Sequence, residues 1–270
     1  MKIGASTKSF GGKTVKEVAE IFARCGLTAA ELCFCQSDLP GFRHNLCGSA
    51  NIADKESARC VAETFKSFGV DICSVGVYCN FWSGTDSEIF DTLKLFTSYC
   101  DIAYSLGVRT LSTHTGTANQ IALSKSFGNE LCEKMYQGFT CACIEAKKRG
   151  LTVAVECSEL DAVQDYKGFT KLCGYVGKSI GSSDMLKYIY SPAKCENVSE
   201  SQIGIFHIKD KSASSKYFER FGDGDVDFSG FFKAFGRNED IPVILEYVNS
   251  ENLCDTVKRY KCALASTENA

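Results

Sequence analysis

The chain reads as an α/β protein of the (β/α)8 barrel class, on three observations. A glycine followed by an apolar residue recurs at Gly26-Leu27, Gly69-Val70, Gly107-Val108 and Gly150-Leu151, with the glycines 43, 38 and 43 residues apart. Each phrase closes a segment of helical period and opens a short apolar run. That pattern is expected where a helix ends on a left-handed residue and the chain turns into a strand. Eight such runs fit within the 270 residues, and strands alternating with helices pair in parallel, which is the arithmetic of a closed barrel.

Lys2–Ala5 is the first expected strand, and Val15, Val18, Phe22 and Cys25 form the apolar stripe of the helix after it. The second strand is Ala29–Phe34, which carries Glu31. A helix with Ala58, Val61, Phe65 and Phe68 on one face leads to the third strand, Val70–Tyr78. Ile89, Leu93, Phe96, Cys100 and Ala103 stripe the next helix, and Val108–His114 follows as the fourth strand. Leu151–Glu156, Leu186–Tyr190, Ile203–Lys209 and Ile241–Tyr247 complete the set. The connection Cys195–Gln202 is too short for a full helix. All 270 residues are assigned to one barrel domain. An open doubly wound sheet is the alternative, but no Gly-x-Gly-x-x-Gly follows the first strand. Gly11-Gly12-Lys13-Thr14 lacks the rest of a phosphate loop, so no nucleotide cofactor is expected.

Composition narrows the function. Hydrophobic residues make up 44% of the chain and charged ones 23%, the balance of a folded protein, and no apolar run approaches a membrane span. Thirty basic against 33 acidic residues leave a net charge of −3, which argues against nucleic acid as the partner. The N-terminus MKIGASTKSF carries no apolar signal segment, so a cytoplasmic location is expected, with no membrane partner. Sixteen cysteines in a chain of this kind, without a single Cys-x-x-Cys, read as reduced and buried small apolar residues, Cys25, Cys60, Cys100 and Cys143 among them.

Polar residues that end apolar strands matter most, because the site of a (β/α)8 barrel lies where its strands end. The fifth strand stops at Glu156, the eighth at Glu246, the fourth at His114 and the seventh at His207-Ile208-Lys209. Each alone reads equally well as a first solvated loop residue or a hydrogen-bonded structural one. The fold would converge Glu156, His207 and Glu246 on one mouth. Two carboxylates and an imidazole there can hold a divalent cation, and the carboxylates can move protons next to a carbonyl. Trp82 and Tyr78 follow the third strand, where an aromatic ring could stack on a ligand or simply pack. His44, in Gly-Phe-Arg-His-Asn, reads as a surface residue.

At these residues the chain resembles the xylose-isomerase-like barrel superfamily, the sugar phosphate isomerase/epimerase group, over nearly its whole length. Val75-Gly-Val-Tyr78-Cys-Asn80 resembles the family's third strand and His114-Thr-Gly116 its fourth-strand His-x-Gly. Leu151–Glu156 and Ile241–Glu246 resemble the strands that supply its glutamates. His207-Ile-Lys209-Asp210 resembles its His-x-Lys-Asp, and Phe221-Gly-Asp-Gly224-Asp-Val-Asp-Phe228 the segment after it. The resemblance implies an isomerase or epimerase of a sugar or polyol. It implies a divalent cation (Mn, Co, Mg or Zn) on Glu156, His207 and Glu246, with Glu156 and Glu246 exchanging the proton. His114, Lys209, Trp82, Lys194 and Ser191 are the expected substrate-binding residues.

The sixth strand departs from the family's Asp-Pro-Ala-Asn and reads Ser191-Pro-Ala-Lys194, and Ser158 stands where a histidine is common. Either three ligands still hold a cation, or the Lys194 ammonium replaces it. Accordingly a second reading is a metal-free, catalytically degenerate barrel that binds a sugar-like ligand or a partner subunit. A lyase or dehydratase on a cyclic polyol ranks behind both. An endonuclease of the same fold would need a multinuclear cluster, for which three histidines are too few. Lys209, Lys211 and Arg220 are candidates for a phosphate, and a homo-oligomer stays open.

Overall fold

A computed structural model describes residues 2–39, 54–82, 85–116, 129–159, 161–194, 196–215 and 217–268. Its strands are β1 (Ile3–Ser6), β2 (Ala29–Leu32), β3 (Asp71–Gly76), β4 (Thr110–His114), β5 (Thr152–Glu156), β6 (Leu186–Tyr190), β7 (Ile203–Ile208), β8 (Asp210–Lys211), β9 (Phe218–Glu219) and β10 (Val243–Leu245). Its helices are α1 (Val15–Arg24), α2 (Lys55–Ser67), α3 (Asp86–Ser105), α4 (Asn129–Lys148), α5 (Tyr166–Ile180), α6 (Phe228–Phe235) and α7 (Leu253–Glu268). Eight strands close a barrel in the order β1-β10-β7-β6-β5-β4-β3-β2, while β8 and β9 form a separate ribbon. All eight expected strands are present. The connection after β6 contains only short 3-10 turns, at Pro192–Lys194 and Glu200–Gln202, among its described residues.

The recurring glycine phrase has one structural meaning. Gly26, Gly69, Gly107 and Gly150 take φ of 76°, 77°, 70° and 65°. In each case the glycine N–H donates three residues back and the next N–H five residues back, as Gly26 does to Ala23 and Leu27 to Phe22. This paired bond satisfies the last helical carbonyls and turns the chain toward the barrel. The residues after the glycines, Leu27, Val70, Val108 and Leu151, are all buried, which anchors each turn. At its other end α1 is closed by a capping box between Thr14 and Glu17.

By contact density the chain forms two compact units, Met1–Pro40 with Cys60–Cys73 and Tyr190–Ala270, and Gly41–Arg59 with Ser74–Ile189. The first contains β1 paired with both β2 and β10, and β10 paired with β7. Its core is aromatic: Phe22 meets Phe10 and Phe65 edge-on at 5.2 and 5.9 Å, and Phe206 packs with Tyr190, Phe231 and Phe235. Each such pair adds about 0.5–1.5 kcal/mol beyond burial. The second unit contains the parallel run β3-β4-β5-β6 and a core around Phe81, which lies edge-on to Phe96 and Phe139.

The cysteines correct the sequence reading in part. Cys100 and Cys143 are buried thiols, and burial pushes both upward from the ordinary thiol value, Cys100 to about 12. Cys60 is exposed on α2. Cys25 is not reduced: it forms a disulfide with Cys254, 229 residues away. Cys25 caps α1 and Cys254 lies in the first turn of α7, and the two Cα atoms are 4.5 Å apart, within bonding range.

Candidate functional site

In the first unit, His207 is completely buried on β7, a strand whose residues are all buried except half-buried Gly204. Its Nε2 lies 3.4 Å from Glu31 Oε2 on β2, and its Nδ1 lies 3.3 Å from Glu246 Oε1. Glu246 follows β10 directly and is placed by its own N–H, which donates to the Ile208 carbonyl at 3.0 Å. Lys209 Nζ donates to Glu246 Oε2 at 2.9 Å, with both side chains largely buried. Glu31 is also fully buried, and the Cys33 thiol donates to its other oxygen. A buried carboxylate persists only when paired, and here two carboxylates face two cationic groups.

The electrostatics follow. Burial pushes the His207 ring down, but the Glu246 and Glu31 carboxylates outweigh it and hold the ring well above the ordinary imidazole value. Burial pushes Glu246 up, yet the Lys209 ammonium and the His207 ring hold its carboxyl well below the usual carboxylate range. Next to this cluster, Tyr247 adopts φ of 54°, a left-handed conformation that costs a non-glycine residue about 1–3 kcal/mol. Its exposed ring stacks on Phe218 at 4.0 Å, and Lys209 Nζ lies 5.5 and 5.9 Å from the two rings. Asp210 is buried and accepts backbone N–H bonds from Lys211, Gly222, Gly224 and Val226, which ties the Gly-rich segment to β8, just past the strand that carries His207.

Ser191, at the end of β6, is buried, and its hydroxyl has no hydrogen-bond partner among the described residues. Lys194 is half-buried in the following 3-10 turn, where its N–H donates to the Ser191 carbonyl. The ammonium on Glu246 comes from Lys209.

In the second unit, Glu156 is half-buried at the end of β5, in register with His114 on β4. His114 Nδ1 lies 3.0 Å from Asp161 Oδ1, and the Ser158 hydroxyl donates to Asp161 Oδ2 at 2.7 Å. Thr115 accepts from the Val163 N–H, and Gly116 accepts from that of Ala162. Gly116 has φ of 135°, and a Cβ there would lie 2.6 Å from both Asn80 Oδ1 and Trp82 Cβ, so only glycine fits. Trp82 and Tyr78 are buried, Tyr78 edge-on to the His114 ring at 5.7 Å. His44 lies outside the described residues.

His207 and Glu246, both in the first unit, each offer one ligand atom, Nδ1 and Oε1, 3.3 Å apart. An imidazole beside a carboxylate suits a divalent cation, and Glu31 on Nε2 is the kind of outer carboxylate that orients a ligating histidine. Asp161 is the residue that sequence reasoning passed over; Glu31 is noted there on the second strand but given no role. Glu31 sits one residue before a strand's end in an otherwise apolar run, a detectable oddity. Asp161 lies in a loop and carries no periodic signal.

The family model that matches, xylose isomerase-like TIM barrel, covers residues 19–267. No curated protein matches the sequence. Among solved structures, the chain is similar to an IolI protein with a bound zinc atom, at 14% identity and TM-score 0.74 over 99% of both chains. It is also similar to the D-psicose 3-epimerase of Clostridium cellulolyticum H10 with D-tagatose, at 13% identity and TM-score 0.67 over 100% of this chain and 99% of that one. An L-ribulose 3-epimerase is similar at 13% identity and TM-score 0.71, over 99% of this chain and 95% of that one. No described helix is long and apolar enough to cross a membrane.

Proposed function

Since the chain belongs to the xylose isomerase-like TIM barrel family, we propose that it moves a proton α to a carbonyl in a sugar or polyol, as an isomerase or epimerase. The observation that carries this reading is Glu246, a largely buried carboxylate held ionised by Lys209 and His207 at the end of the closing strand. Glu156, ending β5, is its partner. One glutamate takes the proton from the carbon next to the carbonyl, leaving the electron pair delocalised onto the carbonyl oxygen. The other returns a proton to the neighbouring carbon or to the opposite face. Lys209 lies within reach of Glu246 and supplies positive charge beside it. His114, Lys194, Ser191 and Trp82 remain assigned to substrate binding.

Glu156, His207 and Glu246 would hold a divalent cation, which when bound supplies a Lewis acid for the developing oxygen charge. Glu31 sets the ring of His207 for that role by taking Nε2. The test is deuterium incorporation from D2O into D-fructose, D-tagatose or L-ribulose, followed by proton NMR with and without added Mn or Zn. Wild type is expected to label the carbon next to the carbonyl, and Glu156→Gln and Glu246→Gln to lose the exchange while unfolding at the same temperature. Equal labelling by either variant refutes the mechanism.

A second reading is a barrel that binds such a ligand without turnover. It is favoured by the Lys209 ammonium on Glu246 and by Ser191 in place of an expected carboxylate. It predicts thermal stabilisation by a sugar with no deuterium incorporation.

A further inference from the structure

The second unit holds a hydrogen-bonded chain that proton exchange between two glutamates does not use. The Ser158 hydroxyl donates to Asp161 Oδ2 at 2.7 Å, and Asp161 Oδ1 meets His114 Nδ1 at 3.0 Å. Asp161 is 4% and His114 9% exposed, so this is a built arrangement inside the protein and not a surface pair. It is held from three sides. The loop after β5 is pinned to the end of β4 by the Val163 N–H on the Thr115 hydroxyl and the Ala162 N–H on the Gly116 carbonyl. The Asp161 N–H donates back to the Ser158 carbonyl at 2.9 Å. Tyr78 closes over the imidazole edge.

The far ring nitrogen, His114 Nε2, is buried and makes no hydrogen bond within the described residues. An orphaned buried nitrogen costs about 1–3 kcal/mol, which a partner supplied by a ligand would recover. His114 and Glu156 are register partners on adjacent parallel strands, so their side chains emerge on the same face of the sheet at the ends of β4 and β5.

We infer that Asp161, braced by Ser158, locks His114 as the Nδ1–H tautomer and so makes Nε2 the acceptor for a hydroxyl of the polyhydroxylated substrate, beside Glu156. The chemistry is forced by the inventory of donors. A carboxylate oxygen facing an imidazole offers only lone pairs, so Nδ1 carries the proton, and the neutral ring then has its lone pair on Nε2. Asp161 is a positioning residue, acting through the ring; His114 is the group that meets the substrate. The inference deepens the sugar-directed reading of the site and rests on it for the identity of the ligand. The tautomer itself does not depend on that reading.

The experiment has two arms, both on the full chain. The first records long-range proton–nitrogen spectra of protein labelled with 15N-histidine at pH 8, where only three rings give signals. His114, assigned by loss of its signals in His114→Gln, is expected as the Nδ1–H tautomer. Asp161→Ala is expected to convert it to the Nε2–H form that a solvated imidazole favours. Ser158→Ala, a milder change, is expected to shift the same signals without changing the tautomer. An Nε2–H tautomer in wild type overturns the proposal without recourse to any variant.

The second arm measures deuterium incorporation into D-tagatose. His114→Gln is expected to lower it about tenfold, the value of one hydrogen bond to substrate, and Asp161→Ala to lower it similarly. If wild type exchanges and His114→Gln exchanges equally, the role of His114 is overturned while the proton-transfer reading stands. If wild type does not exchange, the proton-transfer reading fails, and the spectra still decide whether Asp161 sets the ring.

Discussion

Replacing Lys209 by methionine keeps the length and apolar stem of the side chain and deletes one charge. In the folded protein that charge sits 2.9 Å from Glu246 Oε2, with the two side chains only 10% and 16% exposed. At an effective dielectric near 20 their direct attraction is about 6 kcal/mol, most of it offset by the cost of taking both groups out of water. Removing one partner leaves the carboxylate buried with only His207 beside it, and the net loss expected at pH 7 is about 3 kcal/mol. The pH dependence is the sharper signature. Glu246 is pulled below the ordinary range by Lys209 and His207 against the upward push of burial. A depressed carboxylate stabilises the fold above its unfolded value, near 4.3, and loses that contribution as pH falls toward its folded value. The stability gap between wild type and Lys209→Met should therefore hold from about pH 7 to 5. It should then narrow by about 1.4 kcal/mol per pH unit below about pH 4.3. Urea unfolding of chelator-treated protein across this range measures it. A gap that is below about 0.5 kcal/mol at pH 7, the size of an exposed pair, or that ignores pH refutes the reasoning.

Three further outcomes are expected. Burial lowers the His207 ring but Glu246 and Glu31 raise it further, so its stabilisation is full below about pH 6.5 and declines as pH climbs toward the raised folded value; Glu31→Gln should flatten that alkaline limb in urea titrations, and an unchanged limb would count against the pair. Cys254→Ser removes a cross-link between residues 229 apart and should cost about 3–5 kcal/mol. Wild type treated with dithiothreitol should fall to the same midpoint, and insensitivity to reductant would deny the bond. Gly116→Ala forces a Cβ to 2.6 Å from Asn80 and Trp82 at a φ of 135°, so a loss of about 2–4 kcal/mol and an altered near-ultraviolet signal from the single tryptophan are expected; calorimetry and circular dichroism check both.

The barrel was legible because its helices end the same way. A Gly-apolar pair encodes both the left-handed cap and the buried residue that starts the next strand, so the four turns and the eight strands could be read from local chemistry. Glu246, His207 and Glu156 stood out for a related reason, each breaking an apolar run at its end. What stayed hidden depends on contacts distant in sequence. Nothing near Cys25 announces Cys254, because helix C-caps and helix starts both tolerate cysteine. Glu31 reads as a strand residue until the register that pairs it with Ser6 turns it toward His207. Asp161 is one of many loop acids, distinguished only by the ring it meets. Trp82 follows a strand as a rim residue would, yet it packs closely against Gly116, far away in sequence, and is buried.

The pairing of β1 with β10 also bears on how the protein is made. Ile3, Gly4 and Ala5 find their partners at Val243, Ile244 and Leu245, so one side of the first strand stays unpaired until nearly the whole chain has left the ribosome. The unit containing Ser74–Ile189 is finished earlier, and its own strands can pair while synthesis continues. The first unit draws on both ends of the chain and must wait. During that wait β1, whose four residues are all buried in the finished fold, presents an unpaired edge to solvent or to a chaperone. Slow translation of the stretch between β6 and β10 would lengthen the exposure and aggregation of nascent chains with it, whereas a circular permutant that places β10 ahead of β1 would let the two strands emerge together.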